Sequence, residues 1–505
     1  MSNRIKNSAY NLFANIGLTV VMILMGFITR KVFVDNVGIE YLGLNGLLQN
    51  ILGVMTLLEG GFATSVIYNM YKPLAEDDRP RVLALLQLYK KVYLWIAFGI
   101  FVFSLALYPF LNNFVMGGDD LQYVSIVYFI FVFNSLIGYF TAYKWSLINA
   151  SQQNFKLAGI NLLYQVGLSL AKLLILYYTK NYLFYLLVEA LFGVGLNYAI
   201  VHKANKLFPY IVTRKKYVVE QSVKANIITN MKALFLHKIG GYFMHSTDNI
   251  IISSFVGVAV VGFYSNYTLL TGIVNTMVNQ VLNSFSESVG NLIASEASQK
   301  IYEVFKVTFF VNFIVSSVPV IVLSNMLTPF ISWWLGNKYL LDQWTVSVIL
   351  VNFYIDTLRS TALTFKTKSG IFVQDRFTPL LQGFINVFLS LFFVKLWGLT
   401  GVLFGTTISL LSIGFWQFPR LCYKYVFKRP LKMYFKTYTG YTFVAMFCLF
   451  ISKYICNLLS FSNMLVETLA NGLVSIVVII IIYFVVFFRT AVFRQLWLYA
   501  LSMKK

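Results

Sequence analysis

From residue 9 to residue 488 the chain is a succession of about fourteen apolar runs of helical length, separated by charge, Pro and Gly. A bilayer offers no water to backbone N–H and C=O groups, so apolar runs of this length cross it as helices, whose polar groups satisfy one another. With 58% hydrophobic and only 11% charged residues, against roughly 25% charged in soluble domains, the chain reads as an integral membrane protein. The expected fold class is all-α and polytopic, with about fourteen transmembrane helices.

The basic residues orient these helices. With the N-terminus (Arg4, Lys6) in the cytoplasm, Lys72, Arg79, Arg81, Lys90 and Lys91 fall in an inner loop or at its flanks. So do the basic 202–224 and 420–436 segments and the tail residues Arg489, Arg494, Lys504 and Lys505. Positive residues mark cytoplasmic loops, so both termini are expected inside. Forty Lys and Arg against eighteen acids therefore mark topology and contact with anionic membrane lipids, not nucleic acid. The N-terminal apolar run is too long for a signal peptide and ends at Arg30–Lys31, so it is expected to remain as the first span.

The basic segment 207–230, with Pro209, divides the chain. On either side, Val37-Gly-Ile-Glu-Tyr-Leu-Gly and Val256-Gly-Val-Ala-Val-Val-Gly align at an offset of 219, placing Gly38, Gly43 and Gly53 on Gly257, Gly262 and Gly272. The expectation is two pseudo-symmetric six-helix bundles (1–206 and 231–425), the cytoplasmic linker 207–230, two additional transmembrane helices (426–488) and an amphipathic cytoplasmic tail (489–505). Repeats of this kind generally place a substrate path at their interface.

Ionisable side chains within spans cost roughly 2.5–3.5 kcal/mol each on insertion scales and are kept where they pair or line a polar cavity. The densest set lies in 231–257, with Lys232, His237, Lys238, His245 and Asp248. On one continuous helix at 100° per residue, His237 and Asp248 would share a face, as would Lys238 and His245. Lys172 lies deep in the fifth span, Arg30 and Lys31 near the outer end of the first, where snorkelling is the plain alternative. Glu59 precedes Gly60-Gly61 in the second span. Glu59 and Asp248 each read either as a buried partner for a basic residue or as a protonatable coupling site. Asp356 and Arg359 stand three residues apart, a spacing that allows an intrahelical ion pair, and Glu287 lies near an inner interface.

No nucleophile–base signature, phosphate loop or metal-ligand spacing is present, and Cys422, Cys448 and Cys456 read as packing residues. Neither an enzyme nor a bound metal is expected. Short loops combined with intramembrane charges of both signs point to a transporter.

Several stretches resemble the polysaccharide transporters, or Wzx-type flippases, of the multidrug/oligosaccharidyl-lipid/polysaccharide exporter superfamily. They are EYLGLNGLLQNILGV (40–54), VIYNMYKPLAEDD (66–78), KALFLHKIGGYFMHSTDNIIISSFVG (232–257), VGFYSNYTLL, LTFKTKSGIFVQDRF and WGLTGVLFGTTIS. The resemblance implies two six-helix bundles around a cationic cavity and two further helices outside. Its implied activity is moving an undecaprenyl-pyrophosphate-linked oligosaccharide repeat from the inner to the outer leaflet, for capsule, O-antigen or exopolysaccharide synthesis, alongside polysaccharide polymerase machinery. By resemblance Arg30, Lys238, Asp248 and Arg359 stand where such proteins carry charge, whereas His245 replaces a small or apolar residue.

The expected mechanism is alternating access. Arg30, Lys172, Lys238 and Arg359 hold the phosphates, while Asp248 or Glu59, with His245, takes H+ or Na+ to reset the cavity; no other cofactor is expected. A drug exporter of the same superfamily would favour a carboxylate-dominated cavity. A lipid II flippase would differ only in headgroup, and a membrane glycosyltransferase or repeat-unit polymerase would need a long outer loop that this chain lacks.

Overall fold

A computed structural model describes residues 21–502 except 55, 119–120, 372 and 460. Among these residues the chain is helical throughout, without strands, as the apolar runs require. Residues 21–36 form α1, followed by α2 (Ile39–Gly53), α3 (Thr56–Glu59), α4 (Phe62–Ala75), α5 (Arg79–Leu107), α6 (Val124–Ile137), α7 (Ala142–Ala150), α8 (Ala158–Thr179) and α9 (Tyr182–Leu207). Then come α10 (Gln221–His245), α11 (Asp248–Phe255), α12 (Val258–Ser295), α13 (Ser298–Trp334), α14 (Gln343–Lys368) and α15 (Thr378–Ser412). The chain closes with α16 (Gly414–Leu421), α17 (Lys432–Leu458), α18 (Met464–Phe487) and α19 (Ala491–Ser502).

Among the described residues nine helices are long and apolar enough to cross a membrane, ten if the bent pair 124–140 and 142–150 is one span. One of the nine, Thr378–Phe427, covers two expected spans, 377–395 and 398–419, and bends between them at Trp397 and Gly398, whose φ is +54°. Helices α10 and α12 are not among these nine. They carry polar residues within the helix (Lys232 and Lys238; Asn266, Asn275, Asn279 and Asn283).

Contacts divide the chain into two compact units, residues 1–238 with 257–262 and residues 239–256 with 263–505. In the first, Asp78 caps α5 by accepting from Arg81 N, and Asn181 caps α9 through Leu183 N and Phe184 N. The extended stretch after α9 is fastened to α5: the Gln87 amide donates to Lys215 O (2.7 Å) and accepts from Tyr217 N (2.9 Å), and Arg81 pairs with Glu220 at 2.9 Å. Gly38 and Gly257 both have positive φ, and a Cβ on Gly43 would meet Val258 O and Gly262 N, while one on Gly262 would meet Ile39 O. Of the glycines aligned at offset 219, Gly43 and Gly262 thus serve one close backbone crossing, and Gly272 has no such neighbour.

In the second unit, α17 and α18 pack on α13 through an aromatic core that includes Phe305, Phe309, Phe313, Tyr434 and Tyr483. A buried polar seam lies among them: Asn325 on α13 donates to Ser452 on α17 (3.0 Å) and Ser475 on α18 (2.9 Å), and Asn471 donates to Asn325 O. Cys422, Cys448 and Cys456 are free and buried, in keeping with packing roles. The tail helix α19 packs Val492, Phe493 and Leu496 against this core.

Candidate functional site

In the first unit the second span is broken by design of its sequence. Gly60 (φ +55°) and Gly61 (φ +80°) adopt left-handed conformations that other residues rarely take, ending α3 at Glu59. The break leaves the Glu59 carboxylate, 20% exposed, facing α5 and α10. Tyr93 Oη donates to Glu59 Oε1 at 2.5 Å, and Lys238 Nζ stands 3.9 Å from Oε2. The Lys238 side chain is 37% exposed. Behind Tyr93, Tyr89 stacks obliquely with ring centroids 4.4 Å apart, and Ser146 Oγ donates to Tyr89 Oη at 3.1 Å. Sequence reasoning singled out Glu59 and Lys238 separately and missed both tyrosines. Their i,i+4 spacing on α5 was the available signal.

A second polar group of this unit gathers around Tyr185. Lys172 on α8 pairs with Glu189 on α9 at 2.7 Å and lies over the Tyr185 ring at 4.3 Å, while Arg30 on α1 lies beside Tyr185. Glu189 escaped the sequence reading. It stands about as far after the α8–α9 turn as Lys172 stands before it, and antiparallel neighbours of a short hairpin meet at equal depth. Lys31 pairs with Asp35 at 3.4 Å on the exposed side of α1.

In the second unit Asp248 opens α11 after a break at Ser246–Thr247. The expectation of one continuous helix over 231–256 is therefore corrected: α10 begins at Gln221 and stops at His245, so His237 and Asp248 are not on one helix face. The side chains of His237, His245 and Glu287 lie outside the described residues. Asp248 is buried, and its Oδ2 accepts from Thr406 Oγ1 at 3.2 Å; Asn386 Nδ2 donates to the same hydroxyl at 2.9 Å. Neither Asp248 Oδ1 nor Asn386 Oδ1 has a hydrogen-bond partner among the described residues. Two buried oxygens without partners, one of them on a carboxylate, thus lie beside one shared hydroxyl, and a buried charge without a partner is costly.

Arg359 is enclosed. Its Nε and Nη2 donate to Asp356 Oδ1 at 3.0 and 2.6 Å, Nη1 reaches Gln382 Oε1 at 3.4 Å, and the guanidinium lies 5.9 Å from the Phe418 ring centroid. With its side chain 8% exposed, it braces α14 against α15 and α16. Nearby, Lys366 and Asp375 form a buried ion pair that sequence reasoning did not single out. The four expected basic residues thus differ in what they offer: Arg359 and Lys172 are engaged by carboxylates at hydrogen-bonding distance, Lys238 is held loosely, and Arg30 lies beside Tyr185.

The sequence matches no family model and no curated protein. Solved structures do resemble it. An inward-facing multidrug resistance MATE family transporter of the MOP superfamily aligns with TM-score 0.61 at 13% identity, over 79% of this chain and 94% of that one. The lipid II flippase MurJ in an inward closed conformation aligns with TM-score 0.65 at 14% identity, over 92% and 98%. A MOP superfamily transporter from Pyrococcus furiosus, described as having a binding pocket of reverse polarity, aligns with TM-score 0.51 at 14% identity, over 80% and 94%. The chain has the polytopic helical fold that these transporters and this flippase share.

Proposed function

We propose that the protein is a flippase that carries a polyprenyl-pyrophosphate-linked oligosaccharide from the inner to the outer leaflet of a bacterial cytoplasmic membrane. The observation that carries this reading is Lys238, an ammonium on a helix of an intramembrane bundle, left 37% exposed and held by Glu59 only at 3.9 Å. A cation kept at that depth without a close partner suits an anionic ligand. A pyrophosphate supplies two or more negative charges and several strong acceptors for such a donor. Arg30, beside Tyr185, adds positive charge to the same unit, whereas Lys172 is balanced by Glu189.

Transport proceeds by alternating access, in which the headgroup binds one state of the protein more tightly than the other. With an inside-negative potential, moving two negative charges outward is favourable by about 4.6 kcal/mol per 100 mV. The Asp248–Thr406–Asn386 pocket takes the coupling ion, Na+ or H+, and biases the return of the empty protein.

The test is the leaflet location of lipid-linked oligosaccharide in inverted membrane vesicles with the protein depleted or restored. Accumulation on the cytoplasmic leaflet after depletion, relieved on restoration, supports the proposal. Normal crossing with missing polymer would replace it with a polymerase. A second reading, a lipid II flippase, is favoured by the likeness to MurJ over 92% of the chain. It expects lipid II, rather than the oligosaccharide lipid, to be the species retained.

A further inference from the structure

Three helices of the first unit begin beside one another: α2 at Ile39, α6 at Val124 and α9 at Tyr182. Their starts enclose a pocket of about 160 Å3, walled in part by Asn36, Tyr41, Tyr123, Lys180, Asn181 and Tyr182. Helix α9 runs from here to Leu207, inside the basic 202–224 segment, so the pocket lies at the opposite end of the unit. None of Arg30, Lys172 and Lys238 lines it.

Tyr182 is the residue that calls for a ligand. It is 5% exposed, and its hydroxyl has no hydrogen-bond partner among the described residues. Its ring is packed by Tyr41 (centroids 4.8 Å apart), Phe33 (5.6 Å) and Tyr185 (6.1 Å). The fold thus encloses a hydroxyl and gives it nothing to bond, which is costly for a buried polar group. Packing alone would be served as well by phenylalanine.

The polar groups around it are each only partly engaged. Tyr41 Oη accepts from Gln122 N at 3.1 Å, which leaves its own proton to donate. Asn181 Oδ1 accepts from Leu183 N and Phe184 N at 2.8 and 3.3 Å, which leaves its amide protons. Asn36 Nδ2 donates to Val32 O at 2.8 Å, which leaves its oxygen as an acceptor. The exposed Tyr123 and Lys180 add a ring face and one ammonium. Asp119 and Asp120, which precede Gln122, lie outside the described residues.

This inventory selects among ligand classes. A phosphate would call for several cationic donors and finds one lysine. An acyl chain would call for apolar walls and finds amides and hydroxyls. A sugar ring fits both parts: its hydroxyls donate and accept around the edge, and its C–H face packs on an aromatic ring.

We propose that this pocket binds one pyranose ring, hydrogen-bonded by Tyr182, Tyr41, Asn36 and Asn181 and covered by the Tyr123 ring. The pocket lies at the end expected to face outward, so it receives a sugar after crossing. That the sugar belongs to the lipid-linked oligosaccharide rests on the flippase reading; the binding itself does not. Such a site favours the crossed lipid over the uncrossed one by its affinity for the sugar.

Saturation-transfer difference NMR on the full-length protein in nanodiscs tests the pocket. The probes are galactose, N-acetylglucosamine and glucuronic acid: a neutral, an amide-bearing and an acidic pyranose. Transfer to at least one of them is expected, with affinity lowered about 2- to 10-fold in Tyr182→Phe and in Tyr41→Phe, the loss of one net hydrogen bond each. Thermal unfolding separates binding from folding. Tyr182→Phe is expected to be at least as stable as the wild type, because the hydroxyl it removes bonds nothing in the empty protein.

No transfer to any of the three sugars, or transfer that neither variant weakens, would overturn the site; the flippase reading would then still stand on its own leaflet assay. Slower delivery of lipid-linked oligosaccharide to the outer leaflet by the Tyr41→Phe/Tyr182→Phe double variant supports the lipid-linked source. Normal delivery with lost sugar binding would uphold the site, overturn that source and assign the pocket to glycan already on the outer side.

Discussion

The Lys238 ammonium stands 3.9 Å from a Glu59 carboxylate oxygen whose partner oxygen is already bonded to Tyr93 at 2.5 Å. The carboxylate is thus held by the phenol and only loosely by the lysine, which leaves the lysine available. Truncation of Lys238 to Ala is expected to weaken binding of pyrophosphate-bearing lipid roughly 10- to 100-fold, the effect of losing a charged hydrogen bond worth about 1.5–3 kcal/mol. Lys238→Arg should retain most of it. The check is equilibrium binding in nanodiscs alongside membrane insertion by fractionation. Normal binding in Lys238→Ala would mean that the lysine serves the membrane interface instead.

At Asp248 the expected variant is Asp248→Asn, which removes the charge and keeps the shape beside Thr406 and Asn386. If Na+ binds there, wild-type protein gains about 2.7 kcal/mol of stability at a hundred times its dissociation constant. Thermal unfolding in Na+ against K+ should show this gain in the wild type and lose it in Asp248→Asn. Equal curves for the wild type in the two salts would leave H+ as the ion for this pocket.

Arg359 is buried against Asp356, Gln382 and Phe418. Removing one member of a buried pair strands the other, typically at 3–5 kcal/mol. Arg359→Ala should therefore lower thermal stability and folded yield, with transport per folded molecule much less affected. The opposite split, normal stability with lost transport, would return Arg359 to the ligand site.

Adjacent glycines on α10 give a paired steric test. A Cβ on Gly240 would lie 2.3 Å from Pro379 C and 2.6 Å from Leu380 N, both backbone atoms, whereas one on Gly241 would meet nothing within 4 Å. Gly240→Ala should destabilise by about 1–3 kcal/mol. Gly241→Ala should be neutral or stabilising by up to about 1 kcal/mol, since alanine is the better helix former. Thermal unfolding of both variants decides it.

The residues that became legible from sequence were those whose cost in a membrane is intrinsic. Glu59, Lys172, Lys238 and Asp248 each stood out because a charge in an apolar run needs a reason. Their partners did not stand out, because Tyr93, Asn386 and Thr406 are unremarkable in a helix and become significant only through long-range packing. The break between α10 and α11 was hidden for a similar reason: Ser246 and Thr247 are weak helix breakers, and the apolar pattern continues across them. Arg359 and Asp356 were readable as a pair from spacing alone, but the enclosing Gln382 and Phe418 lie on later helices. The helical fold class, by contrast, follows from bilayer chemistry and needed no knowledge of partners.

The polar seam at Asn325 has a consequence for how the chain is made. Its partner Ser452 lies 127 residues later and Ser475 lies 150 residues later. At a synthesis rate of about 5–20 residues per second, the Asn325 amide waits roughly 6–30 s for them. Within α13 itself the amide has an acceptor at hand, since Asn325 Nδ2 lies 3.4 Å from Ile321 O. The helix carries its own temporary acceptor. In the finished bundle the hydroxyls of Ser452 and Ser475 both reach this one amide, a match that a shift of either helix along α13 would lose.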